Sequence, residues 1–149
     1  MPRDSQNLVD SVLELWNTGR AELAEQLYTE TALRYDPNQP NPARGRQEIT
    51  RYVSEVRAGF PDFKIDIREA IAAEGHLVTH WTCTGTHRGE FKGIPATNKP
   101  IEIKGVALAR IENNKVSEEH VYFDRLTMLE QLGVSPGFPE SQMQHAGHS

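Results

Sequence analysis

The chain has 149 residues, a formal net charge of −5 and one cysteine, Cys83. A single cysteine excludes an intrachain disulfide framework and a cysteine metal cluster, and scattered basic residues in an acidic chain argue against nucleic acid as a partner. No apolar run reaches the roughly 18 residues of a membrane-spanning helix, so we predict a cytoplasmic protein with no membrane partner. The length predicts one domain over residues 1–135, followed by a polar tail over 136–149.

Three helices are predicted in the first part of the chain. Apolar residues recur at helical spacing from Asn7 to Asn17, and a second, short helix is predicted from Ala21 to Tyr28. The third runs from about Arg46 to Ala58 and ends at a glycine with a proline beyond. Before it, TALRYD predicts a short strand, and the prolines of PNQPNP then interrupt regular structure.

Four longer strands and a last helix follow. The strands are predicted in FKIDI, HLVTHWTCTGTH, IEIKGVALARIE and KVSEEHVYFD, and Cys83 in the second of them is expected to be a buried, inert thiol. Consecutive strands joined by turns form an antiparallel sheet, and three helices are enough to cover one of its faces. The predicted fold class is therefore α+β.

The last strand presents a histidine, a tyrosine and a carboxylate at alternate positions. His120, Tyr122 and Asp124 share one face of a regular strand, and we expect this face to line a pocket. Asp124 also stands immediately before a predicted helix, where an aspartate is a good N-cap. The two roles predict opposite shifts in the pKa of Asp124, because capping lowers the pKa of a carboxyl group and burial in an apolar pocket raises it.

Four segments together resemble the SnoaL-like polyketide cyclases of the nuclear transport factor 2-like superfamily. They are GTHRGEFKGIPATNKPIEI (85–103), ENNKVSEEHVYFD (112–124), MLEQLG (128–133) and YDPNQPNPARGRQEI (35–49). The resemblance implies a cone-shaped fold in which a curved antiparallel sheet packs against three N-terminal helices around a pocket. It also implies an intramolecular aldol reaction without metal or organic cofactor, and Asp124 matches the family's acid and base.

The candidate site residues follow from this resemblance and from the predicted faces. The expected catalytic residues are Asp124, His120 and His80. Family members often carry a second histidine on the strand before the last, and here that strand, VALARIE, contains none. Either His80 or His120 would replace it. The residues expected to bind the substrate are Tyr122, Trp16, Tyr35, Asp36 and Arg110. We expect no metal site, since no helical pattern surrounds His145 and His148 in the tail.

Three functions remain open at this point. The first is a SnoaL-like enzyme that acts on a hydrophobic, carbonyl-rich or polycyclic small molecule by proton transfer. The second is a non-catalytic small-molecule binding protein with the same pocket. The third is a ketosteroid isomerase-like or hydrolase activity, which Asp36 would favour if it were the carboxylate nearer the ligand, because a similarly placed Asp-Pro pair occurs around the base of those isomerases.

The resemblance also implies a homodimer that forms through the outer face of the sheet. If the even positions of the last strand face inward, Val121 and Phe123 face outward, where Trp81 is also expected. These three side chains would leave an apolar outer patch on a monomer.

Overall fold

The computed structural model describes residues 3–134, which form four α-helices and six strands. The helices are α1 (Arg3–Thr18), α2 (Ala24–Leu27), α3 (Gly45–Gly59) and α4 (Arg125–Gln131). The strands are β1 (Tyr28–Tyr35), β2 (Ala43–Arg44), β3 (Lys64–Ala73), β4 (His76–Thr86), β5 (Pro100–Glu112) and β6 (Lys115–Phe123). The predicted tail, with His145 and His148, lies outside the described residues.

The strands form one curved, unclosed sheet in the order β2-β1-β6-β5-β4-β3. Strands β3 to β6 pair antiparallel in succession. Two-residue turns join β3 to β4 and β5 to β6, and a longer connection joins β4 to β5. Strand β1 adds to β6 in parallel, and β2 pairs antiparallel with β1. The predicted α+β class is confirmed, and the parallel pair makes the sheet mixed.

Helices α1 and α3 cover the concave face of the sheet. Each is amphipathic and buries one stripe of side chains: Leu8, Val9, Leu15 and Trp16 on α1, and Ile49, Tyr52, Val53 and Val56 on α3. Burying an aliphatic side chain of this size contributes roughly 1.5–3 kcal/mol. The core therefore lies between these helices and the sheet. No helix in residues 3–134 is both long and apolar enough to span a membrane.

A β-bulge at Ser117 reverses which residues of β6 face the helices. Two consecutive residues of β5 pair with Val116 and Glu118, so Ser117 is the extra residue. Val116 is buried before the bulge, whereas Glu119 and Val121 are buried after it. The prediction that the even positions from 118 onward face inward is therefore wrong, because a one-residue shift exchanges the two faces of a strand.

The connection between β4 and β5, residues 87–99, packs against the end of α3. The backbone N–H groups of Arg88 and Gly89 donate to the carbonyl oxygen of Gly59 at 3.0 and 3.1 Å. A Cβ atom at position 89 would lie 2.3 Å from the Ala58 carbonyl oxygen, so only glycine fits there. The segment is thus fixed to the helix along the rim of the sheet.

Candidate functional site

A cavity opens between the concave face of the sheet and helices α1 and α3. Its walls are mainly apolar and rich in aromatic side chains, including Trp16, Phe60, Phe63, Trp81, Phe91 and Phe123. The space between the walls is about 740 Å³ when solvent at the open end is included, and about 80 Å³ of it admits the centre of a water molecule. By the usual requirement of about 10–15 Å³ for one water, the cavity has room for several.

Three buried charged residues stand at the polar end of this cavity, and we call them the charged cluster: Arg34, Asp36 and Glu119. Arg34 donates from Nη1 to Asp36 Oδ2 at 2.9 Å and from Nε to Glu119 Oε1 at 3.2 Å. The three side chains are 7, 3 and 9% exposed, respectively. The Arg34 guanidinium also lies over Trp16, with its carbon 4.9 Å from the ring centre.

Two tyrosines and a backbone amide hold the carboxylates in place. Tyr28 Oη donates to Glu119 Oε1 at 2.7 Å, and Tyr52 Oη donates to Asp36 Oδ1 at 3.1 Å. The N–H of Asn38 donates to the same Asp36 oxygen at 2.7 Å. Both oxygens of Asp36 are therefore occupied. Within residues 3–134, Oε2 of Glu119 accepts no hydrogen bond, and this carboxylate lines the cavity.

The environment of the charged cluster favours a charged arginine and neutral tyrosines. Burial opposes the charge on Arg34, but the nearby Asp36 and Glu119 carboxylates outweigh it and raise the arginine's pKa. Burial first, and the neighbouring carboxylates next, raise the pKa of Tyr28 and Tyr52 well above their ordinary value. Both hydroxyl groups are therefore hydrogen-bond donors at neutral pH.

Two of the predicted substrate-binding residues line the cavity. They are Trp16, on α1, and Asp36, at the end of β1. Alternation places Asp36 on the same face of the chain as Arg34, both of them buried. Their role in binding stays a prediction.

The predicted histidines lie on the opposite, convex face of the sheet and do not line the cavity. His80 alternates with the buried Thr79 and Trp81 and is exposed, and His120 follows the bulge of β6. His120 Nε2 is 2.7 Å from Glu118 Oε2. The expectation that these histidines share the pocket wall is wrong because of strand parity.

Three further predicted residues accompany the histidines on the convex face. Tyr35 stacks on His120 at 4.4 Å between ring centroids, and the Tyr122 ring lies nearly parallel to His120 at 6.5 Å. Arg110 is exposed on β5, where the alternate residues Ala107 and Ala109 face the core. None of the three lines the cavity.

Asp124 is the N-cap of α4. Its Oδ1 accepts from the Thr127 N–H at 3.2 Å, and its Oδ2 accepts from Thr127 Oγ1 at 2.8 Å. The hydrogen bonds from Thr127 lower the pKa of Asp124, which is the sign expected of a cap. The side chain is exposed and is not part of the cavity wall. A catalytic role for Asp124 stays a prediction that this geometry does not support.

The predicted outer apolar patch is also reassigned. Trp81, Val121 and Phe123 line the cavity, so the expectation that they face outward is wrong. Trp81 lies across Gly105, the residue opposite it on β5, where an added Cβ would be 2.3 Å from the indole Cζ2. The large hydrophobic residues on the convex face are instead Ile71, Val106, Leu108 and Tyr122.

Sequence reasoning missed Arg34 and Glu119. A signal for Arg34 was present, since an arginine between Ala32 and Asp36 on one face of a strand is a charge at a core position. Glu119 became recognisable only once the bulge was known. Within residues 3–134, no group of three or more histidine, cysteine, aspartate or glutamate side chains could hold a metal ion.

Comparison with known proteins identifies relatives of this chain. The sequence model of the SnoaL-like polyketide cyclases matches residues 6–132. Similar solved structures include TsrD from Streptomyces laurentii, with 19% identity over 91% of this chain and 99% of that one and a TM-score of 0.81. Wild-type IdmH from Streptomyces antibioticus is 26% identical over 87% of this chain and 99% of that one, with a TM-score of 0.73.

A protein from Catenulispora acidiphila described as having a ketosteroid isomerase-like fold is also similar. It has 16% identity over 89% of this chain and 96% of that one, with a TM-score of 0.75. At this identity the similarity supports the fold alone. A search of curated proteins gave no significant match.

Proposed function

Because the chain belongs to the SnoaL-like polyketide cyclase family, we propose that it is a cofactor-independent enzyme that moves protons on a hydrophobic, carbonyl-rich small molecule and closes a ring by intramolecular aldol addition. The observation that carries this proposal is the unpartnered Oε2 of Glu119 at the polar end of an apolar cavity. A general base needs a free oxygen within reach of the substrate. Of the two buried carboxylates, Glu119 has one.

In the first step, Glu119 Oε2 removes a proton from the carbon next to a substrate carbonyl. The substrate becomes an enolate, and the negative charge leaves Glu119 for the enolate oxygen. The total charge of the cavity does not change. Arg34, whose raised pKa keeps it charged, stabilises the enolate by its electrostatic field.

In the second step, the enolate carbon attacks another carbonyl carbon of the same molecule. A carbon–carbon bond forms, and the carbonyl π bond becomes an alkoxide. Protonated Glu119 returns its proton to this alkoxide, which regenerates the base. A substrate that fills the space between the aromatic walls displaces the water there, and the walls hold its two reacting carbons near each other. Asp36, with both oxygens occupied, positions Arg34.

Proton abstraction can be measured before the natural substrate is known. The two-ring ketone 2-tetralone would be incubated with the protein in deuterated water, and loss of its α-proton signals would be followed by NMR. We expect the native protein to accelerate the exchange, and Glu119→Gln to reduce that acceleration by roughly 10²-fold or more. Glu118→Gln, the same change one residue earlier on the convex face, is the matched control and should exchange like the native protein.

Two results would contradict the proposal. One is exchange no faster than in buffer, and the other is a folded Glu119→Gln variant as active as the native protein. Thermal melting of each variant establishes that it is folded. Ligand binding without any exchange would instead support a non-catalytic binding protein.

A double-bond shift in a carbonyl compound is the second candidate activity. The observation that favours it is again the free Oε2 of Glu119 on the cavity wall, because Asp36, the carboxylate that the sequence suggested for such an isomerase, has both oxygens occupied. Both activities begin with the same proton abstraction, so the exchange experiment covers both. Incubation with a β,γ-unsaturated cyclic ketone separates them, because an isomerase converts it to the conjugated ketone and a cyclase without this activity leaves it unchanged.

We also propose that two copies pair through the convex face of the sheet. The exposed side chains of Val106, Leu108 and Tyr122 lie on neighbouring strands of this face and form an apolar surface. Light scattering after size exclusion should give a dimer for the native protein and a monomer for Leu108→Lys. A native monomer at micromolar concentration would contradict the pairing.

A further inference from the structure

The charged cluster carries unequal numbers of opposite charges. Asp36 and Glu119 provide two carboxylates, and Arg34 provides the one guanidinium that contacts both of them. The ammonium group of Lys92 also approaches the Tyr52 ring, but it pairs with Glu55 at 3.1 Å and so brings no net charge. The three side chains of the charged cluster therefore carry one net negative charge in surroundings where charges are weakly screened. A further cation, Arg125, donates to Asn38 Oδ1 at 3.1 Å beside Asp36, so the uncompensated charge lies at the Glu119 end of the cluster.

Glu119 also lacks one hydrogen-bond donor. Tyr28 and Arg34 both donate to its Oε1, while Oε2 receives no donor from any group in the described part of the chain. The side chain is only 9% exposed. Oε2 is not among the fully buried side-chain atoms of the described residues that lack a partner, so it is open to the cavity, where a donor group of a bound ligand can take the place of water.

We propose that the cavity takes ligands whose polar end donates a hydrogen bond to Glu119 Oε2 and bears no negative charge, and that it excludes carboxylates. A hydroxyl group and an ammonium group both meet this requirement. This inference rests on the proposed function, since it names the substrate class of the same site: a hydroxylated carbonyl compound or its enol, taken up in preference to a free acid. Glu119 Oε2 would then both accept the hydrogen bond from the enol hydroxyl and receive the abstracted proton.

A matched set of two-ring probes tests the inference in the native protein. The set consists of 2-naphthol, 2-naphthylmethylammonium, 2-methoxynaphthalene and 2-naphthoate, which share one aromatic body and carry one small substituent that differs in charge and in hydrogen-bond donors. Affinities would be obtained from NMR chemical-shift titrations at pH 7. We expect the naphthol and the ammonium to bind at least about tenfold more tightly than the methoxy compound, and more tightly still than the naphthoate.

Glu119→Gln assigns the preference to one residue. The amide removes the excess charge and offers its own N–H₂ donor, so the preference for the ammonium over the naphthoate should disappear or reverse. Glu118→Gln, on the convex face, should keep the native order of affinities. The comparison of probes in the native protein needs neither variant, so the test stands even if Glu119→Gln does not fold.

The inference is overturned if the naphthoate binds as tightly as the naphthol, as it would if the cluster held an extra proton. It is also overturned if 2-naphthol does not bind at millimolar concentration. The exchange experiment keeps the two proposals distinct. Exchange that depends on Glu119, together with tight naphthoate binding, would refute the ligand class alone. The expected order of affinities without exchange would refute the catalytic function alone.

Discussion

Glu118 and Glu119 are consecutive glutamates of one strand with opposite environments. Glu119 lies in the concave cavity, where a tyrosine and an arginine donate to it, and Glu118 lies on the convex face beside His120. The hydrogen bond from His120 lowers the pKa of Glu118, whose side chain is 32% exposed. The same side chain thus becomes a candidate base or a surface ion pair according to the face it occupies. Matched substitutions on the two faces measure this difference.

The largest difference in the free energy of unfolding is expected between variants of two arginines, Arg34 and Arg110. Arg34→Met would leave two buried carboxylates without their counter-charge, and removing one partner of a buried pair typically costs about 3–5 kcal/mol. Arg110→Met, on the convex face, should change the free energy of unfolding by no more than about 0.5 kcal/mol. Urea denaturation measures both, and similar values for the two variants would contradict the assigned environments.

Two tyrosines provide the next comparison. Tyr28→Phe removes the hydroxyl that donates to Glu119, and a hydrogen bond to a charged group contributes about 1.5–3 kcal/mol. Tyr122→Phe removes an exposed hydroxyl and should leave the free energy of unfolding nearly unchanged. Denaturation curves for the pair would refute the role of Tyr28 if its variant were as stable as the native protein.

Packing on the two faces is compared at neighbouring positions of β5. Gly105→Ala would place a methyl group against the Trp81 ring, and such overpacking typically costs about 1–3 kcal/mol. Val106→Ala, on the convex face, trims a partly exposed side chain and should cost less. Thermal unfolding reports the stability, and tryptophan fluorescence reports the displaced indole. An unshifted spectrum in Gly105→Ala would argue against the close approach.

The smallest effect is expected at Asp124. Its pKa is lowered in the folded state, so its contribution to stability is present above the unfolded pKa of about 3.9 and is lost as the pH falls through the folded value. Asp124→Asn should therefore be slightly less stable than the native protein at pH 7 and equal to it at low pH. Deuterium exchange of 2-tetralone should not change. A loss of exchange in this variant would restore Asp124 as the base.

Local patterns predicted most of the fold. The third helix was predicted from Arg46 to Ala58 and extends from Gly45 to Gly59, because its apolar stripe and its glycine stop are local signals. The helix predicted from Ala21 to Tyr28 is present as a 3₁₀ turn (Ala21–Leu23) that leads into α2, and Tyr28 begins β1. The parallel pairing of β1 with β6 joins distant parts of the chain, and no local pattern encodes it.

The candidate site was predicted less well for a specific reason. Alternation identifies the two faces of a strand but not where an extra residue exchanges them, and Ser117 is that residue in β6. The prediction for Asp124 included the cap, which depends only on the neighbouring helix and is present. Glu119 and Arg34 interact across strands that are far apart in sequence. Their partnership depends on tertiary pairing, and residue spacing alone does not reveal it.

The bulge at Ser117 has a consequence for aligning this chain with its relatives. An alignment that matches residue types and places no gap at this position can pair an inward residue of one protein with an outward residue of another, all the way to the end of β6. Such an alignment would show glutamate, histidine and tyrosine replacing one another at one site, although the aligned residues lie on opposite faces of the strand. The number of residues between the turn at Asn113 and Asn114 and the start of α4 should therefore be compared between relatives alongside residue identity.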